Sequence, residues 1–262
     1  MSGVAVVGLG DLGLAIAERL HECGVDLIAV DTSADRRGSW ERRTGTVAAT
    51  RLERAVGRVL VCVRTTAQAD AVLRDLRTCA GSPPVVVYVV TTLEPGYARG
   101  LADVAVGGAR LVEMPVSGGR EGARAGTLTV LVGGNRVTDE DERFLTATLA
   151  STVLRFPRFG DATTVKLLNN VTGAYNAVAF ARCALLAKAA GIEPERYADT
   201  VRAASGGSWM ADHFTGLVDD LLVKDAALLA AELGPLPLVD LADGEGLLAA
   251  LAGARALLDP QG

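Results

Sequence analysis

Short, wholly apolar runs recur along the first half of the chain, separated by stretches with helical periodicity. Residues 4–9 (VAVVGL), 26–31 (DLIAVD), 58–63 (RVLVCV), 85–90 (VVVYVV), 110–116 (RLVEMPV) and 127–134 (TLTVLVGG) read as strands. Leu12, Ile16, Leu20 and Cys23 keep a helical spacing across 11–23, and AQADAVLRDLRTC and PGYARGLADVA separate later strands. DEDERFLTATLAS (139–151) reads as a further helix with acidic residues in its first turn, where the helix dipole favours them. Strands apolar on both faces, alternating with helices, predict a doubly wound, mostly parallel α/β sheet covered on each side.

The pattern changes after TVLRFPRFG (152–160). From Thr163 onward only helices are expected. Val165, Leu168, Thr172, Tyr175, Ala179, Leu186 and Ala190 approximate one face of a long helix, and 171–190 is apolar enough to call for burial on most sides. Pro194, SGGS (205–208) and GPLP (234–237) punctuate the rest. The boundary falls near Gly160, giving an α/β domain over 1–160 and an all-α domain over 161–262.

Composition narrows the function. Of 262 residues half are hydrophobic and 22% charged, enough for a sizeable core. A net charge of -5 argues against a nucleic-acid partner, which needs a basic face. The four cysteines (Cys23, Cys62, Cys79, Cys183) are far apart and form no CxxC pair, and His21 and His213 are the two histidines. No metal site is expected, and free thiols in a reducing cytosol are. No basic segment precedes the first apolar run, and no purely apolar stretch is long enough for a bilayer, so a cytoplasmic protein without membrane association is expected.

GLGDLG places Gly8, Gly10 and Gly13 between a buried strand and an amphipathic helix. There, glycines allow a tight turn and close approach of a pyrophosphate to the helix N-terminus, with Leu9, Asp11 and Leu12 in the same turn. Asp31 ends the second strand, where a carboxylate would accept bonds from ribose hydroxyls. That favours NAD over NADP; Arg36 and Arg37 close by keep NADP open. The plain alternative is a glycine turn that binds nothing, and the joint presence of strand, turn, helix and aspartate argues against it. Val63 and Arg64 at the end of the third strand and Thr92 after the fourth join the cofactor set, because strand C-termini line the ligand crevice. Thr92 reads equally well as a helix cap.

Ser117-Gly118-Gly119 offers open backbone amides and a hydroxyl, suited to a carboxylate; the bland reading is a flexible turn before a hairpin. In TVKLLNN (164–170), Lys166, Asn169 and Asn170 stand where an apolar helix begins, which is costly unless they are partnered or face a site. Trp209 is a pocket candidate, although burial tendency favours a core position, and His213 reads as a surface residue.

Together, GLGDLG, TTLEP, PVSGGREGARAGTLTVLVGG, GDATTVKLLNN and LLVKDAALL resemble the 3-hydroxyisobutyrate dehydrogenase family, the β-hydroxyacid dehydrogenases related to 6-phosphogluconate dehydrogenase, over nearly the whole chain. The resemblance implies a Rossmann domain, a helical domain and a site in the cleft between them. It makes Ser117, Gly118 and Gly119 the substrate-carboxylate loop and Lys166 the catalytic lysine. Asn169 and Asn170 become the amides that orient substrate and lysine, and Lys224, paired with Asp225, lies near nicotinamide and substrate. It also implies a homodimer packed through the helical domains. The expected function is NAD(P)-dependent hydride transfer to or from a small-molecule β-hydroxy acid or its semialdehyde. Imine reductases share the architecture but commonly replace the lysine with Asp or Tyr; a non-catalytic cofactor-binding scaffold or sensor is the remaining alternative. Two departures stand out: Ala162 where the family often has glycine, and a shortened helical domain, which leaves the substrate open.

Overall fold

The computed structural model describes residues 3–53, 56–78, 86–104, 106–134, 136–217 and 219–258. Cys79 and Val85 lie outside the described residues. Five parallel strands form the centre of the sheet: β1 (Val4–Val7), β2 (Leu27–Val30), β3 (Arg58–Val61), β4 (Val86–Val89) and β5 (Arg110–Glu113). Beyond β5 the sheet continues through β6 (Val116–Ser117), β7 (Leu128–Gly133) and β8 (Ala150–Phe156), in the order β2-β1-β3-β4-β5-β7-β6 with β8 beside β7. Strand β1 lies between β2 and β3, so the chain reverses its direction of travel across the sheet there. Crevices at such switch points hold ligands in open α/β sheets.

Helices α1 (Asp11–Glu22), α2 (Ala34–Thr44), α3 (Thr66–Thr78), α4 (Pro95–Gly100), α5 (Gly119–Ala125) and α6 (Asp139–Thr148) cover the sheet. Two apolar clusters result. One packs Ile16, Leu20, Trp40 and Tyr88 with Leu128 and Leu145; the other packs Leu73, Leu93 and Leu101 with Val59 and Val87. Polar anchoring accompanies them. Thr138 and Asp141 form a capping box on α6, and the buried Asp141 carboxylate also accepts from Tyr88 Oη at 2.7 Å and from Arg110 Nη1 at 2.7 Å.

The structure departs from the sequence pattern at several points. The outer sheet is not parallel throughout, since β7 runs antiparallel to β5 and β6. The expected helix over 139–151 stops at Thr148, and Ala150–Phe156 is a strand. The expected strand over 110–116 breaks at Met114-Pro115, because proline cannot donate to the ladder. A helix rather than a hairpin turn follows Ser117-Gly118.

Helix α7 (Asp161–Ala189) opens the helical part, followed by α8 (Pro194–Ala203), α9 (Trp209–Asp212), α10 (Asp219–Leu233) and α11 (Gly244–Leu258). Its core is thin: Leu167, Val171 and Leu229, with Tyr175 and Leu236 against them. The face of α7 expected from periodicity is not the buried one. Val165, Leu168 and Leu186 are exposed, whereas Ala162, Lys166, Leu167, Val171 and Gly173 face inward. Small residues let neighbouring elements approach that inner face: a Cβ on Gly173 would collide with Met210 Cε.

Candidate active site

The switch point is built from the glycine turn. Gly8 has φ +101°, and a Cβ there would strike the Cys62 carbonyl; a Cβ on Gly13 would strike the Gly8 carbonyl. Both glycines let α1 start tight against β1 and β3. At Gly10 a Cβ would meet nothing within 4 Å, so this backbone faces open space. No side chain caps α1 at Gly10, leaving its first amides to a ligand anion. That combination fits a dinucleotide pyrophosphate.

Asp31 is buried and does more than await a ribose. Its Oδ2 accepts from Leu9 N at 2.7 Å and its Oδ1 from Ser33 N at 2.8 Å, tying the glycine turn to the β2–α2 loop. Arg36 Nη1 is 3.5 Å from Oδ2, and Arg37 donates to the backbone carbonyls of Asp31 and Thr32. Across the crevice, Val63 N–H donates to Thr91 Oγ1 at 3.0 Å, and Arg64 N–H to Gln68 Oε1 at 3.0 Å. Thr91, adjacent to the expected Thr92, is therefore the threonine that ties the ends of β3 and β4 together. Thr92 does not cap α4, whose N-cap is Glu94.

Ser117-Gly118-Gly119 forms the next wall. Gly118 (φ +116°) and Gly119 (φ +60°) adopt left-handed backbone that side chains disfavour. Opposite, Lys166, Asn169, Asn170 and Gly173 line α7 at three- and four-residue intervals. Lys166 is buried at 8% exposure. That burial pushes its ammonium down to about 8; Asp225 opposes the shift and Lys224 adds to it. Asp225 accepts from Asn170 Nδ2 at 2.5 Å, and Lys224 Nζ approaches its other oxygen at 3.3 Å without hydrogen-bond alignment. Asn169 Nδ2 donates to Asn170 Oδ1 at 3.2 Å. The sequence names buried Asp225 only as the pair of Lys224; its place beside Lys166 comes from α10 meeting α7.

Trp209 is not core. It is 53% exposed in the cleft and stacks on His213, with ring centroids 4.1 Å apart. All eighteen residues singled out from sequence, from Gly8 to Lys224, line one cleft of about 2310 Å³. Among the described residues no His/Cys/Asp/Glu cluster could hold a metal, and no helix is long and apolar enough to cross a membrane.

A glycine-turn crevice facing a buried lysine defines a nucleotide-dependent oxidoreductase of two parts. Residues 3–154 match the model of the NAD-binding domain of 6-phosphogluconate dehydrogenase, and residues 160–230 match the NAD-binding domain of NADP-dependent 3-hydroxyisobutyrate dehydrogenase. The chain belongs to this family of NAD(P)-dependent hydroxyacid dehydrogenases. It is 26% identical to L-threonate dehydrogenase of Cupriavidus necator, covering 95% of this chain and 91% of that one. It superposes on a crystal structure of 3-hydroxyisobutyrate dehydrogenase from Salmonella typhimurium with a TM-score of 0.78 and 26% identity, over 97% and 95% of the two chains. A reductive aminase from Aspergillus terreus shares the fold alone, at 19% identity and a TM-score of 0.62 over 98% and 86% of the chains.

Proposed function

We propose that the protein interconverts a small β-hydroxy acid and its semialdehyde, with Lys166 as the proton-transfer group. One observation carries this reading: a buried lysine, poised near neutral pH, lines the same cleft as the Ser117–Gly119 loop. When bound, the nicotinamide ring supplies the hydride acceptor or donor. Neutral Lys166 accepts the hydroxyl proton as the substrate is oxidised; protonated Lys166 returns it to the carbonyl oxygen in reduction. Ser117, Gly118 and Gly119 hold the substrate carboxylate, and Trp209 closes the pocket wall. Asn170 keeps Asp225 beside the lysine, and Asn169 steadies Asn170. Lys224 bridges the substrate and cofactor ends. Gly8, Leu9, Gly10, Asp11, Leu12 and Gly13 bind the pyrophosphate, while Asp31, Val63, Arg64 and Thr92 line the nucleoside and nicotinamide subsites. The carboxylate of Asp31 favours NAD, because a 2′-phosphate would meet like charge.

In this reading residues 1–160 bind cofactor, and residues 161–262 shape the substrate end and join two copies of the chain. A homodimer interface of ordinary size would cover apolar side chains that the helical part leaves exposed. Exposed Val178, Leu185 and Leu186 on α7 and Leu257 and Leu258 on α11 supply its apolar part. A monomer in sedimentation at micromolar concentration would count against it. A reducing, cytoplasmic setting suits the free thiols of Cys23, Cys62 and Cys183; their recovery from cells as disulfides would oppose it.

The decisive screen follows absorbance at the reduced-nicotinamide band across hydroxy acids and semialdehydes with NAD and NADP. Turnover of a β-hydroxy acid is expected. Faster consumption of a cyclic imine would reassign the activity, and silence across the panel would favour a scaffold.

A further inference from the structure

Glu113 ends β5, four residues before Ser117, and is fully buried. It lies outside the cleft lining, yet it touches the helix that carries Lys166. Its Oε2 accepts from Gly160 N at 2.7 Å and its Oε1 from Thr163 N at 2.6 Å. These are the N-cap and an amide of the first turn of α7, three residues before Lys166. Gly160 has no side chain to cap its own helix and holds φ +90°, and a Cβ there would collide with Arg99 Cγ. The cap therefore comes from the sheet. Gly133, the β7 partner of Glu113, is shaped around it: a Cβ on Gly133 would collide with Glu113 Oε2.

We propose that Glu113 is a positioning residue that holds the Lys166 helix in register with the Ser117–Gly119 loop. One short segment, 113–119, thus carries both the substrate loop and the clamp on the helix facing it. The proposal rests on the Lys166 reading above. A carboxylate suits the task because both donors are buried backbone amides needing one acceptor each; a glutamine would turn its NH₂ toward one of them. Burial, and to a lesser degree Asp161 nearby, push the Glu113 carboxyl above its usual range, while the Thr163 side chain and the backbone amides of Gly160 and Thr163 oppose that shift. Its influence on Lys166 is geometric, since the charges facing that lysine are Asp225 and Lys224 of α10.

The test is kinetic, on the full-length enzyme. Glu113→Gln should lower kcat by tenfold to on the order of 100-fold, the scale of a small misplacement of a catalytic group. The pH at which oxidation levels off should move upward, toward an ordinary lysine, as Lys166 leaves its dry seat. Cofactor Kd should stay within about twofold, because the glycine turn is untouched. Gly133→Ala leaves Glu113 chemically intact but displaces its carboxylate, and should shift the profile the same way. Glu113→Asp keeps two acceptor oxygens and should recover part of both kcat and profile; these two variants decide the matter if Glu113→Gln folds poorly. A role confined to folding would lower yield or Tm and leave the inflection at the wild-type pH; that result overturns the proposal. Lys166→Met separates the two ideas. If it stays active, the lysine reading itself fails; if it is inactive while the Glu113 variants keep the wild-type inflection, only the clamp fails.

Discussion

Lys166 yields the most exacting prediction. Burial brings its ammonium from 10.5 down to about 8. A shift of about 2.5 units corresponds to about 3 kcal/mol between the two protonation states. At pH 7 about a tenth of the enzyme then carries the neutral amine, against roughly 0.03% for an unperturbed lysine, a gain of about 300-fold in competent base. Oxidative kcat/KM should climb about tenfold per pH unit below 8 and level off above it, while reduction should show the mirror profile. The neighbours supply an internal check. Asp225 holds the lysine up and Lys224 pushes it down, so Asp225→Asn should move the inflection below 8 and Lys224→Gln should move it above. Initial rates in both directions from about pH 6 to 10 read all three profiles. An inflection near the ordinary lysine value, or the two variants moving it the same way, would refute the assignment.

Three further outcomes follow from the same geometry. Because Lys166 is held below its unfolded value, its burial penalty is fully present below pH 8 and fades as pH rises toward 10.5; Lys166→Met should therefore raise stability at pH 7 by up to about 3 kcal/mol in urea titrations. Burial raises the Asp141 carboxyl, but Arg110, Tyr88 and Thr138 more than offset this and hold it well below the usual carboxylate range. The stability it contributes is present above the unfolded carboxylate pKa and lost as pH falls through the depressed value, so Arg110→Met should make acid unfolding begin at higher pH, seen by circular dichroism. Asp31→Asn should weaken NAD and improve NADP, moving the ratio of their dissociation constants by about tenfold; an unchanged ratio would leave Asp31 as only the tie between Leu9 and Ser33.

Much of this architecture is legible from local pattern. The β1–β5 strands are short apolar runs, and GLGDLG sits between strand and helix where its glycines have steric work at Gly8 and Gly13. Helix α2 has no local signature because it is polar along its length and buries little besides Trp40. Strand β8 carries no apolar run to mark it: most of its residues are exposed, and only Ala150 and Ser151 fall within the expected helix over 139–151. On α7 a partner is chosen by tertiary contact rather than by composition: alanine, glycine and a lysine face inward while leucines face out. The lysine and the serine-glycine loop could be read as segments, but Glu113 and Asp225 could not. Their hydrogen bonds reach 47 to 55 residues along the chain, which no local pattern shows.

The central claim is that Lys166 moves the proton while the glycine turn independently holds the cofactor. Its most direct test measures turnover and cofactor affinity side by side for Lys166→Met with the best substrate from the screen. Loss of turnover by on the order of a thousandfold, with cofactor Kd unchanged, is the expected result. Turnover within a few-fold of wild type would contradict it.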